Sequence, residues 1–117
     1  RRIPSTLKKF SMATIVNISN DIGKMNTILE VITPDRPGLL MHLGQIFMKF
    51  NLRLLSAKIS TLGERVEDVF HLVDIYYQPL SDPLLCTQIQ ETICYELDAR
   101  VMKQIEGGPL QKMNLWE

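Results

Sequence analysis

The residues best suited to chemistry stand at Asp35-Arg36-Pro37-Gly38-Leu39-Leu40. They follow a run rich in β-branched residues, Thr27 to Thr33, and lead into an apolar-periodic segment, so they read as a loop from a strand into a helix. Asp35 is placed to cap that helix by accepting from the amides of its first turn. Pro37, in that turn, lacks an N–H that would have been unpaired anyway. Gly38 has no side chain, which lets a ligand or another backbone approach the exposed amides. A helix N-terminus bears about half a positive charge and several unpaired donors, a suitable seat for a small carboxylate. The same six residues would equally serve as no more than a well-capped helix start, because D-x-x-G is a short signal.

Other reactive residue types are sparse. His42 and His71 are the only imidazoles, and neither has a second ligand at metal-binding spacing. Asp68 and Asp74 share one face of a predicted strand but stand roughly 20 Å apart, too far to clasp one reacting bond. They read as strand-edge or solvated charges. No phosphate-cradling G-x-x-x-x-G-K-[ST] occurs, and no local signature orients a serine nucleophile. Cys86 and Cys94 fall on one predicted helix, two turns and about 12 Å apart, which rules out a disulfide between them. They fit small buried thiols in a reducing, cytoplasmic setting. A catalytic role for this stretch of chain has no residue constellation behind it.

The elements that must position the loop can be read from periodicity. Thr14 to Ser19 alternates Thr14, Val16 and Ile18 against Ile15, Asn17 and Ser19, and the turn chemistry of Asn20 to Lys24 sends the chain back as a hairpin. The return strand, Asn26 to Thr33, puts Leu29 and Val31 on one face and Ile28 and Ile32 on the other. A helix from Arg36 or Pro37 to about Phe50 follows, with one apolar stripe of Leu39, Leu43, Ile46, Phe47 and Phe50. Gly44 is its weak point unless something packs closely over it, and Asn51 suits its end. Leu52 to Thr61 predicts a third strand with Leu55, Ala57 and Ile59 toward the core, turning through Leu62-Gly63-Glu64. A fourth runs from about Arg65 to Tyr76, with Val66, Phe70 and Leu72 on one face beside Asp68 and Asp74. The last helix opens at Ser81-Asp82-Pro83 and carries Leu85, Ile89, Ile93, Leu97 and Val101 at steps of four, stopping before Gly107-Gly108-Pro109. The order ββαββα predicts an α+β fold: one four-stranded antiparallel sheet with two helices on one face. The other face is too apolar to stay wholly in water, so a second copy or a neighbouring domain is expected to cover it or extend a sheet edge.

With 117 residues, 45% apolar and 22% charged, the chain is one ordinary globular domain, expected to occupy residues 13–106. Thirteen basic residues balance thirteen acidic ones, so there is no general pull toward nucleic acid or an anionic membrane. No apolar run is long enough to span a bilayer, and no secretory signal core stands near the start. The chain opens on Arg1, as an excerpt or a processed chain would. Residues 1–12, with four basic residues by position 10, read as a linker or arm or as a basic organellar presequence. Residues 107–117 read as a tail whose Leu110, Met113, Leu115 and Trp116 pack on the domain or on a partner. The element order, cyclically shifted, also occurs in RNA-binding domains, but those need aromatics on central strands for base stacking, and this chain has too few.

Four stretches carry a resemblance: Arg1 to Phe10 with its R-R-x-P opening, Thr27-Ile28-Leu29-Glu30-Val31, Asp35-Arg36-Pro37-Gly38-Leu39-Leu40, and the run Ala57-Lys58-Ile59-Ser60-Thr61-Leu62-Gly63-Glu64-Arg65-Val66-Glu67-Asp68-Val69-Phe70. Together they make the chain, from Arg1 to about Val101, resemble the carboxy-terminal ACT domains of the bacterial bifunctional uridylyltransferase/uridylyl-removing enzymes. D-R-P-G-L-L is common to many ACT domains; T-x-G-E-R-V-x-D-x-F is far more specific. The resemblance implies a ferredoxin-like ACT fold and a regulatory module that senses an amino acid, glutamine in this family. It implies that catalytic domains outside this chain, one of them metal-dependent and using magnesium, attach and remove uridylyl groups on the nitrogen-signalling protein PII. This piece would then hold no cofactor and no catalytic residue. ACT domains usually pair, with the ligand at the seam, against the loop that is here Asp35, Arg36, Pro37, Gly38, Leu39 and Leu40. Amides after Gly38 would take the ligand carboxylate, and Asp35 or loop carbonyls its ammonium group. The following strand completes the site, usually from the partner copy; where many relatives carry asparagine, this chain has Arg53. The alternative is an ACT-like pairing or interdomain module without a ligand. The family's usual last strand is missing here, and the early strand from Thr14 is expected to take its place.

Overall fold

Period-two alternation builds the first hairpin. In the computed structural model, which describes the backbone of residues 13–106 and the side chains of 13–99, β1 spans Ile15–Asp21 and β2 spans Asn26–Pro34. They pair antiparallel, with Val16 opposite Val31 and Ile18 opposite Leu29. Val16, Leu29 and Val31 are buried, and Ile28 and Ile32 lie half-buried on the other face. Residues 1–12 and 107–117, read above as an arm and a tail, lie outside the described residues.

The helix α1 spans Leu39–Lys49, two residues later than the spacing predicted. Its N-cap is Gly38, in the left-handed region at φ 75°, and no side chain caps it. The expected Asp35 cap does not form, because Pro37 and Gly38 make a turn that carries Asp35 away from the first helical amides; the Asp35 N–H instead donates to the Glu64 carbonyl at 2.7 Å. The other end closes as expected. Asn51 takes φ 56°, its N–H donates to the Met48 carbonyl, and the Leu52 N–H reaches back to the Phe47 carbonyl, a Schellman arrangement that also buries Leu52 against the core. Gly44 has nothing within 4 Å of where a Cβ would stand, so no close packing explains it.

β3 spans Arg53–Leu62 and β4 spans Arg65–Val73, joined through Gly63 at φ 65°. β4 sits between β2 and β3, giving the order β1-β2-β4-β3, antiparallel throughout. The early strand β1 therefore lies beside β2, in the place where a ferredoxin-like sheet has its last strand. Two expectations need correction here. β4 ends at Val73, and Asp74 is a turn residue whose carboxylate accepts from the Tyr76 and Gln78 amides at 2.8 and 2.9 Å. Ala57 and Ile59 do share the helix-side face with their partners Phe70 and Asp68, but they are exposed, as is Leu55 at the bulge between Leu54 and Ser56. Alternation assigns a face; it cannot say that the helical layer stops short of this edge strand.

The second helix, α2, spans Pro83–Glu106. Asp82 caps it, accepting from the Leu84 N–H at 3.0 Å. Ile89, Ile93 and Leu97 are fully buried and join Leu39, Leu43, Ile46, Phe47, Val66, Phe70 and Leu72 in one core, so both helices cover the same sheet face. Phe47 and Phe70 meet edge to face with ring centroids 5.1 Å apart. Polar ties lock α2 in place: Asp98 accepts from the Thr14 N–H at 3.0 Å, and Glu96 holds α1 through His42 at 2.7 Å and Lys49 at 2.9 Å. Cys86 and Cys94 are free thiols. No helix among the described residues is long and apolar enough to cross a membrane.

Candidate functional site

The positive φ of Gly38 turns the chain so abruptly that α1 starts at the surface, above the strand pair β3–β4. The His42 N–H makes the first bond back, to the Gly38 carbonyl at 3.0 Å. The amides of Leu39, Leu40 and Met41 thus begin the helix with no carbonyl one turn earlier to serve them. Beside them lies a pocket of about 260 Å³. Asp35, Arg36, Gly38, Leu39, Leu40 and Met41 line it from the loop and helix; Ile59 and Thr61 from β3, and Val66 and Asp68 from β4, line it from the sheet.

Five of the seven sequence-predicted site residues therefore meet at one pocket. Pro37 is exposed in the turn and does not line it. Arg53 stands at the far end of α1, where it lines a separate pocket with Met48, Asn51, Leu52 and Ile75. Six residues of extended strand separate it from Ile59, roughly 20 Å. Within one copy of the chain, Arg53 and the loop do not share a site.

Arg36 has a second task. Its guanidinium is buried and donates through Nη1 to the Leu97 carbonyl at 2.7 Å, pinning the loop to α2. The loop is thereby held by two anchors, this one and the bond from Asp35 to Glu64, which together fix the pocket's rim.

Asp68 is the residue that sequence reading assigned wrongly. It is 1% exposed, not solvated, and neither carboxylate oxygen has a hydrogen-bond partner. Burial pushes its carboxyl up from the usual value near 3.8; the pull of the Ser60 backbone N–H opposes this without completing a hydrogen bond, and the Asp35 charge adds to the rise. The signal was present in the sequence: Asp68 is in phase with Val66, Phe70 and Leu72, all three buried, so the alternation that filled the core also drew an acid into it. Glu96 shows the opposite case. Lys49's hydrogen bond, with His42's, holds its carboxyl below the usual 4.5 against partial burial.

The arrangement suits a small ligand with both charges: amides with a positive dipole end for a carboxylate, acids for a cation, and apolar walls from Leu39, Ile59 and Val66. Among the described residues no three His, Cys, Asp or Glu side chains come close enough to hold a metal ion. His42 and His71 are engaged with Glu96 and Asn26 respectively.

Residues 22–100 match the family model described as the ACR family N-terminal ACT domain. Over 111 residues the chain is 56% identical to the bifunctional uridylyltransferase/uridylyl-removing enzyme of Pseudomonas syringae pv. tomato, a match covering 95% of this chain and 12% of that protein. The protein of the same name from Azotobacter vinelandii is 56% identical over 97 residues, 83% of this chain and 11% of that one. That from Pseudomonas fluorescens is 51% identical over 106 residues, 91% and 12% respectively. The chain thus spans about an eighth or less of the length of these relatives. The match runs from the β1–β2 turn well into α2, taking in β2, α1, β3 and β4 on the way, and it settles the family: the chain belongs to the ACT domains.

Proposed function

We propose that this ACT domain is a regulatory sensor of an amino acid, glutamine, bound at the loop Asp35 to Leu40. It governs the attachment and removal of uridylyl groups on PII by catalytic domains that lie elsewhere in a longer enzyme. The domain occupies residues 13–106, with flanking arms at 1–12 and 107–117, and contributes no catalytic residue; any magnesium belongs to the catalytic domains. The observation that carries the reading is the pocket at the start of α1, where unserved amides and acidic side chains converge on a space of single-amino-acid size. The names of the relatives supply the reaction.

Pairing completes the proposal. Every residue of β3 except Ser60 is exposed, including Leu54, Leu55, Ile59 and Leu62 at about half their surface, and β3 is a sheet edge with unpaired backbone groups. A second copy laid against this edge would cover Ile59 and Thr61 at the pocket mouth. It would also bring its own Arg53 toward the seam. The same exposed edge supports a second reading, in which the domain only holds subunits or neighbouring domains together.

Titration calorimetry with L-glutamine, run beside size-exclusion chromatography, separates the two. The sensor predicts saturable binding by a paired chain, lost on Gly38→Val, which fills the approach to the amides and strains a left-handed φ. Ile59→Lys should break pairing and weaken binding together. A folded, paired chain that takes no glutamine supports the holding role instead.

A further inference from the structure

Asp68 sits where a carboxylate ought not to be left alone. Ionised side chains that leave water need a counter-charge or a full set of hydrogen bonds, and this one, at 1% exposure, has neither. Beside Val31 on β2 and the Ser60 backbone on β3, the residues that share its pocket offer it no free counter-charge. The loop contributes Asp35, which is like-charged, and Arg36, whose guanidinium is committed to the Leu97 carbonyl; β3 contributes Ile59 and Thr61, and α1 only Leu39, Leu40 and Met41. No lysine or histidine among the described residues lines the pocket. What does share it is the start of α1, whose first amides carry the dipole's positive end. An unpartnered buried anion and a bare helix N-terminus thus open onto one 260 Å³ space.

We propose that Asp68, not Asp35, receives the α-ammonium group of the amino acid, while the first amides of α1 receive its α-carboxylate. The inference rests on the sensor reading above and names the residue that makes the site selective for a zwitterion. Asp35 is exposed, so its attraction for a cation is screened by water; Asp68 lies in dry surroundings where the same charge acts several times more strongly. The acid is kept unpaired in the empty domain so that the ligand's own cation completes it. Until then a proton is the competing occupant.

The test compares L-glutamine with 4-carbamoylbutanoate, which is glutamine without its α-amino group, on the wild-type chain and on Asp68→Asn. Circular dichroism first confirms that both fold. Wild type should bind glutamine about 10- to 100-fold more tightly than the analogue, the range expected for a charge-assisted contact, and Asp68→Asn should bind both about equally. Asp35→Asn should change glutamine affinity by less than about threefold. Equal glutamine affinity in wild type and Asp68→Asn overturns the role of Asp68 and leaves the sensor standing. A proportional loss of both ligands in Asp68→Asn marks a structural role and overturns it as well. If none of the twenty amino acids binds wild type, the sensor reading fails and takes this inference with it. A measurement on wild type alone covers a variant that does not fold: over the pH range in which both ligands keep their carboxylate charged, glutamine affinity should fall on acidification, as the proton takes Asp68, while the analogue's does not. Parallel pH profiles for the two ligands refute the proposal.

Discussion

Replacing Asp68 with asparagine should make the unliganded domain more stable. The side chain keeps its shape and loses its charge. A buried neutral polar group without partners costs about 1–3 kcal/mol, and a charged one more; the amide of Asp68→Asn still carries the first cost, so the gain is the difference, about 1–2 kcal/mol at pH 7. For a domain of this size each kcal/mol moves Tm by about 4–8 °C, giving an increase of about 4–16 °C. The sign with pH follows from the raised folded-state pKa. Below the unfolded value of about 3.8 both states hold the proton and the charge costs nothing. As pH rises through the higher folded value, the native state must ionise in dry surroundings while the unfolded chain ionises in water. The penalty therefore grows as pH climbs from the unfolded value through the folded one, and the advantage of Asp68→Asn should shrink on acidification and vanish below the unfolded value. Urea unfolding followed by circular dichroism, repeated between pH 3.5 and 7.5, measures it. A variant less stable than wild type at pH 7, or a difference that ignores pH, would mean that Asp68 has a partner in the native domain.

Three further outcomes follow from the packing. Gly44→Ala should stabilise by about 0.5–1 kcal/mol, because the site is open and the helix gains a better former; a loss in urea titration would mean that the position is crowded. Phe47→Ala should cost about 3–5 kcal/mol, since the ring is buried and meets Phe70 edge to face, and a loss below 1 kcal/mol would show that the core closes over the gap. Glu96→Gln should cost about 0.5–1 kcal/mol at pH 7. Glu96 has a lowered folded pKa, so its contribution is present above the unfolded value of 4.5 and disappears as pH falls through the folded one; melts of the pair should converge in acid.

Much of this domain is legible from residue order because several signals agree. The hairpins, the α2 stripe of Ile89, Ile93 and Leu97, and the Asn51 end of α1 each rest on local chemistry that tertiary packing had no reason to override. The placement of β1 beside β2 followed from counting strands against a ferredoxin-like sheet. Three things were hidden. The start of α1 moved from Pro37 to Leu39 because Gly38 spends its freedom on a sharp turn, which a residue type allows but does not demand. The exposure of Ala57 and Ile59 depends on how far the helical layer reaches, a fact about α1 and α2 rather than about β3. For Asp68, residue type and phase gave opposite answers. Type said solvent, phase said core, and phase prevailed. At the site, the loop residues were readable from their own motif, whereas Ile59, Thr61, Val66 and Asp68 come to it through strand pairing alone.

The placement of β1 separates the segment that the family model matches from the unit that folds. The family match begins at residue 22, one residue after β1 ends at Asp21. A protein cut to the matched segment would lose Val16 from the core, leave the Thr33 hydroxyl without its bond to Thr14, strip Asp98 of Thr14 and Gln90 of its partner on β1, and bare the flank of β2. That flank is a ready template for a strand borrowed from another molecule. Excision at residue 22 should therefore give strand-exchanged oligomers or aggregate, and a cut placed before Thr14 a well-behaved domain. Any chain leading into Thr14 joins the sheet through this same strand, so tension on that connection would pull directly on the neighbour of β2, whose end leads into the Asp35–Leu40 loop.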